Sequence, residues 1–154
     1  MDWGTLLPTL VGAVIGVGST LGADRLRWAR ELRQRATSSR QELYGQFLTA
    51  LNEAAESLWV LGLGDRHDSS IDLPEALRAA VHGTGLYSFR EQVMIIATDD
   101  VLAKADQAVD RVREYRDCLA AGHREGSPDE VAGMDAYKRA VKELRSAMRA
   151  DLIP

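Results

Sequence analysis

The sequence predicts an all-α protein, with an N-terminal transmembrane helix leading into a long helix that packs with three or four further helices as an antiparallel bundle. Three observations carry this reading. The stretch from Trp3 to Ala23 contains no charged residue. After it, apolar residues recur at alternating spacings of three and four, the period of one helix face. The single β-prone run, Val93-Met94-Ile95-Ile96, has no second strand-like run to pair with, so helix is expected there too.

The 21 residues from Trp3 to Ala23 would rise about 32 Å as a helix, close to the hydrocarbon thickness of a bilayer. Leu6, Leu7, Leu10, Val11, Val14, Ile15, Val17 and Leu21 favour insertion, and five glycines, three threonines and a serine dilute that drive. A cleaved leader would need positive charge ahead of the apolar run, where this chain has only Met-Asp-Trp. On a helical wheel Thr5, Thr9, Gly12, Gly16, Ser19 and Ala23 share one narrow face. Gly12 and Gly16 form a small-xxx-small pair that lets two helices approach closely in lipid. The expected packing face is therefore Gly12, Gly16, Ser19 and Ala23, against a second copy or a partner membrane helix.

Residues 24–40 read as a basic juxtamembrane helix. From Arg25 to Arg40, the six arginines Arg25, Arg27, Arg30, Arg33, Arg35 and Arg40 stand against one acid, Glu31. Positive charge behind the apolar span places the N-terminus outside and the C-terminal domain in the cytoplasm of a cell membrane. The first five of these arginines are the expected contacts to anionic lipid headgroups, each worth about 1 kcal/mol near a charged surface. Nucleic acid is not an expected partner: no reader motif or aromatic interleaving accompanies the arginines, and the chain after residue 50 carries nineteen acids against thirteen bases.

Residues 41–154 are expected to form a cytoplasmic helical bundle. Thr37-Ser38-Ser39 allows a hinge, or the end of one helix and the cap of the next. Beyond it Tyr44, Phe47, Leu51, Ala54, Leu58 and Leu61 form an a/d-type stripe of the coiled-coil kind. Leu43, Leu48, Ala55 and Trp59 widen it to a bundle face. A short helix follows Asp72, with Pro74 in its first turn, and breaks at His82-Gly83-Thr84-Gly85. Leu86–Ala97, the most apolar stretch outside the anchor, is expected to be the central core element. Thr98 or Asp99 caps a helix running to Ala121, with Val101, Leu102, Ala105, Val109, Val112 and Leu119 on its apolar side. Ser127-Pro128-Asp129-Glu130 is a capping box with proline in the first turn. It opens a last helix whose apolar side is Val131, Met134, Tyr137, Val141, Leu144 and Met148.

Catalytic chemistry is not expected. No nucleophile elbow, paired metal-ligating histidines or dinucleotide fingerprint occurs, and no cofactor or metal is called for. His67 with Asp65, Asp68 and Asp72 is the densest set of ligand-type side chains, and its spacing fits neither a zinc nor a calcium pattern. The Gly83-Thr84-Gly85 turn lacks the lysine and hydroxyl of a phosphate loop. Cys118, the sole cysteine, reads as a half-buried small residue on a helix. Acids on helix surfaces have arginines within reach, Glu143 with Arg139 for example.

A glycine-rich apolar segment leading into an arginine-rich helix, and the helix junction Ile95-Ile96-Ala97-Thr98-Asp99-Asp100-Val101, resemble a loose group of small uncharacterised bacterial single-pass membrane proteins with a cytoplasmic helical domain. That resemblance implies an α-helical cytoplasmic domain and no assigned activity. The front half also looks like the b subunit of rotary ATP synthases, and the broken second half departs from it. The function these features lead one to expect is a membrane-anchored, non-catalytic helical interaction or scaffold module that forms homo-oligomers. The alternative is a membrane-perturbing or pore-forming small protein, phage- or toxin-like.

Overall fold

The computed structural model describes residues 35, 37–63 and 72–153. Among these every regular element is an α-helix and no strand occurs. In chain order they are α1 (residues 37–62), α2 (Leu73–Gly83), α3 (Leu86–Ile96), α4 (Asp99–Ala120) and α5 (Pro128–Leu152). Residues 1–39 and 40–154 fall into separate units, and the bundle belongs to the second. Residues 1–23, expected to cross a membrane, lie outside the described residues. So do Gly12, Gly16, Ser19, Ala23, Arg25, Arg27, Arg30 and Arg33. Among the residues described, no helix is long and apolar enough to cross a membrane. Thr37, Ser38 and Ser39 are helical and form the first residues of α1 as described.

The local signals act as their chemistry requires. Pro74 occupies the first turn of α2. Gly85 separates α2 from α3 at φ +70°, a left-handed conformation that a side chain resists. Gly122 closes α4 at φ +93°. There the Gly122 amide donates to the Leu119 carbonyl (3.0 Å) and the His123 amide to the Cys118 carbonyl (3.3 Å). This Schellman arrangement satisfies two carbonyls that the helix end would otherwise strand.

Helix α5 runs antiparallel to both α1 and α4. The Tyr44 hydroxyl donates to Asp151 Oδ2 at 2.6 Å, tying the start of α1 to the end of α5. Midway, the Tyr137 hydroxyl donates to the Leu51 carbonyl oxygen at 3.0 Å. On the other side Lys104 Nζ meets Glu143 Oε2 at 2.6 Å, so Glu143 pairs across to α4 rather than with Arg139 along its own helix. Gly133 lacks the Cβ that would stand 3.3 Å from the Tyr115 ring, which lets α4 and α5 approach there.

The core lies among α1, α4 and α5. Phe47, Leu51, Ala54 and Leu58 from α1 are fully buried, as are Val101 and Ala108 from α4 and Leu144 from α5. The expectation that Leu86–Ala97 is the central core element is corrected. Only Leu86 and Val93 of α3 are buried, and Ile95 is 82% exposed. Helix α3 has just 11 residues and a single buried stripe, so Tyr87 and Phe89 pack half-buried against the core while Met94 and Ile95 face outward.

Three of the tyrosines are held protonated. Burial first, then the hydrogen bond to Asp151, raises the Tyr44 phenol; burial first, then Glu130, raises Tyr115. Burial pushes Tyr137 up to about 12 from an ordinary 10.0. The folded state therefore keeps protons that an unfolded chain releases near its ordinary value. The stabilisation is complete below the unfolded value of 10.0 and is lost as pH climbs from there through about 12. Alkaline titration should show phenolate absorbance rising in step with loss of helical circular dichroism. A phenolate signal completed while the helices remain intact would contradict this assignment.

Candidate interaction site

Two apolar stripes overrun the core at one end of the α1/α5 pair. On α5 the stripe Met148, Leu144, Val141 and Tyr137 is buried. Its continuation toward the helix start becomes half-buried at Met134 and 47% exposed at Val131. On α1 Leu58 is fully buried, while its neighbour Trp59 is 40% exposed. Because the helices are antiparallel, the two overruns meet. They border an open groove of about 590 Å³ lined by Ala55, Trp59, Val131 and Met134 together with Glu56, Glu125, Gly126, Glu130, Asp135 and Lys138.

The wall of this groove is built around one buried carboxylate. Glu130 is 5% exposed. Its Oε1 accepts from the Tyr115 hydroxyl at 2.9 Å, and its Oε2 accepts from the Gly126 amide at 3.1 Å. Its own amide donates to Ser127 Oγ at 3.3 Å, the forward half of the capping box. The return half is displaced by one residue, because the Ser127 amide already donates to the Arg124 carbonyl at 3.0 Å. Glu130 thus spends its acceptors inside the protein. It fixes the α4–α5 connection, where Gly126 sits at φ +77°, and with it the groove edge.

The remaining rim carboxylates differ from Glu130. Glu56, Glu125 and Asp135 are exposed and form no ion pair among the described residues. Lys138 is the single cation in the lining. Some acids elsewhere on the bundle are engaged, Asp106 with Arg90, Asp110 with Arg113 and Asp117 with Arg116, while Glu42, Glu53, Glu75, Asp99 and Asp100 likewise form no ion pair among the described residues. A second depression, between α4 and α5, is bordered by Asp100, Lys104, Arg139, Lys142 and Glu143. Its charges include the Lys104–Glu143 pair, and it offers no large apolar side chain.

Of the lipid-contact residues expected from sequence, Arg35 is described, and it is exposed. Among the described residues no group of three or more ligand-type side chains is placed to hold a metal. His67, Asp65 and Asp68 lie outside them, and Asp72 precedes α2. His82 lies against the Tyr87 ring, with centroids 5.1 Å apart, and His123 Nδ1 is 3.1 Å from Asp129 Oδ2. Burial first, then Asp129 and Glu130, raises the Cys118 thiol, which keeps it a poor nucleophile. Comparison with protein-family models, with curated proteins and with solved structures finds no match for this chain.

Proposed function

We propose that the chain is a non-catalytic helical interaction module, held at the inner face of a membrane by residues 1–23 and presenting the α1/α5 groove to a partner. The observation that carries the docking role is the open Trp59 ring beside Val131 and Met134. An indole bordering an apolar, part-walled groove is an unmet burial, of the kind that anchors protein interfaces. Membrane attachment rests on the uncharged run from Trp3 to Ala23 and the arginines behind it. Oligomerisation rests on the small-residue face of Gly12, Gly16, Ser19 and Ala23, and lipid contact on Arg25, Arg27, Arg30, Arg33 and Arg35.

The test is site-specific photocrosslinking in cells. With p-benzoylphenylalanine in place of Val131, a discrete adduct is expected in the membrane fraction. The same probe in place of Ala103, exposed on α4 among no groove residues, should give none. Equal yields at the two positions, or none at Val131, would remove the docking role. Recovery of the chain outside the membrane fraction would remove the anchor.

A further inference from the structure

We infer that the groove takes a basic amphipathic helix of a partner protein, an inference that rests on reading the groove as a docking site. The shape argues for a helix. Ala55 and Trp59 are four residues apart on α1, and Val131 and Met134 three apart on α5, so each pair forms a ridge along its own helix. A valley between two antiparallel ridges is filled by a third helix laid along it. The small side chain of Ala55 leaves room there for one large apolar anchor. From Val131 to Lys138 the α5 wall extends about 10 Å, two turns, which accommodates anchors at i, i+3 or i+4, and i+7.

The charge argues for a basic partner. Glu56, Glu125 and Asp135 stand around the apolar lane, exposed and without ion-pair partners among the described residues, and Lys138 offsets one of them. Glu130 takes no part, since both its oxygens are occupied internally. A helix with lysine or arginine flanking its apolar stripe meets opposite charge on both sides, and a guanidinium can also stack on Trp59. The same rim disfavours an acidic helix. It also disfavours the body of a second copy, because the chain after residue 50 carries nineteen acids against thirteen bases.

The test uses the full chain in neutral detergent and three labelled peptides, with binding read by fluorescence anisotropy. One is a leucine/lysine amphipathic helix, one its leucine/glutamate counterpart, and one the leucine/lysine composition scrambled so that no apolar face forms. The basic amphipathic peptide should bind, more weakly as salt rises, and Trp59→Ala should weaken it about tenfold. Glu56→Gln, Glu125→Gln and Asp135→Asn together should weaken it about fivefold and flatten the salt dependence. Circular dichroism of each variant should match that of the unsubstituted chain, since these positions are exposed. Equal binding of the acidic peptide, still lost in Trp59→Ala, would overturn the basic partner and leave the docking role standing. Equal binding of the scrambled peptide would reduce the effect to bulk charge and overturn the inference. So would a dimer of the chain that Trp59→Ala dissolves, since a second copy would then be the occupant. Binding of none of the peptides overturns it as well, and the Val131 crosslink then decides the docking role separately.

Discussion

Phe47→Ala should destabilise the bundle by about 3–5 kcal/mol, the usual cost of removing a buried phenyl ring. For a domain of this size that lowers Tm by roughly 10–20 °C. Phe47 is fully buried on α1, within the cluster that also holds Leu51, Val109 and Leu144. Alanine there loses the transfer energy of the ring and leaves a void that the surrounding helices close only in part. Natural domains have about 5–15 kcal/mol in total, so the variant consumes much of that margin. The informative comparison is Ile95→Ala. Isoleucine is as strongly apolar by type, but Ile95 is 82% exposed, and its loss should change stability by less than about 0.5 kcal/mol. Thermal unfolding of both variants, followed at 222 nm, tests the placement of the core directly. A large effect at Ile95 would restore α3 to the centre of the fold.

That comparison shows where sequence reading succeeds and where it stops. The period of the apolar residues marks helices well, because each helix must turn one stripe inward. Tyr44, Phe47, Leu51, Ala54 and Leu58 are buried as their spacing requires, and Leu61, the last residue of the stripe, is half-buried against the core. Start and stop signals are equally local, so Pro74, Ser127-Pro128 and Gly122 stand where they were read. Apolar density is a different quantity. Leu86–Ile96 is rich in apolar residues, yet how much of it is buried depends on the neighbours it finds, and its pattern does not name them. The groove is intermediate. Val131, Met134 and Trp59 belong to stripes visible in the sequence, but their exposure follows from how far α1 and α5 overlap. Two stripes extending past a shared core, at the opposite ends of antiparallel helices, are the signal that could have located it. Glu130 lay beyond reach for another reason. A capping box explains its backbone contact with Ser127, while its burial depends on Tyr115 from α4 arriving at 2.9 Å.

Glu130→Ala should cost about 2–4 kcal/mol, as much as a core truncation, although it removes a charged side chain. Three losses contribute. The Tyr115 hydroxyl, on a residue 1% exposed, is left without its acceptor. The Gly126 amide loses Oε2, and with it the restraint on the connection before α5. A negative charge in the first turn, favourable at a helix start, disappears as well. Tyr115→Phe separates these contributions. It removes the buried donor together with its need for a partner but takes one bond from the buried Glu130 carboxylate, so it should cost about 1–3 kcal/mol. In the double variant the stranded hydroxyl no longer exists, and the two substitutions should then cost about 1–2 kcal/mol less than their sum. Additive costs would mean that the 2.9 Å contact contributes nothing and that Glu130 acts through α5 alone. A coupled result carries a consequence for recognition. Glu130 and Gly126 border the groove beside Val131, so loosening them blurs the wall against which a partner helix is laid. Glu130→Ala should therefore weaken binding of the basic peptide, even though Glu130 is only 5% exposed and both its oxygens already accept bonds inside the protein. Tyr115→Phe, with Glu130 still bonded to the Gly126 amide, should leave binding nearly unchanged.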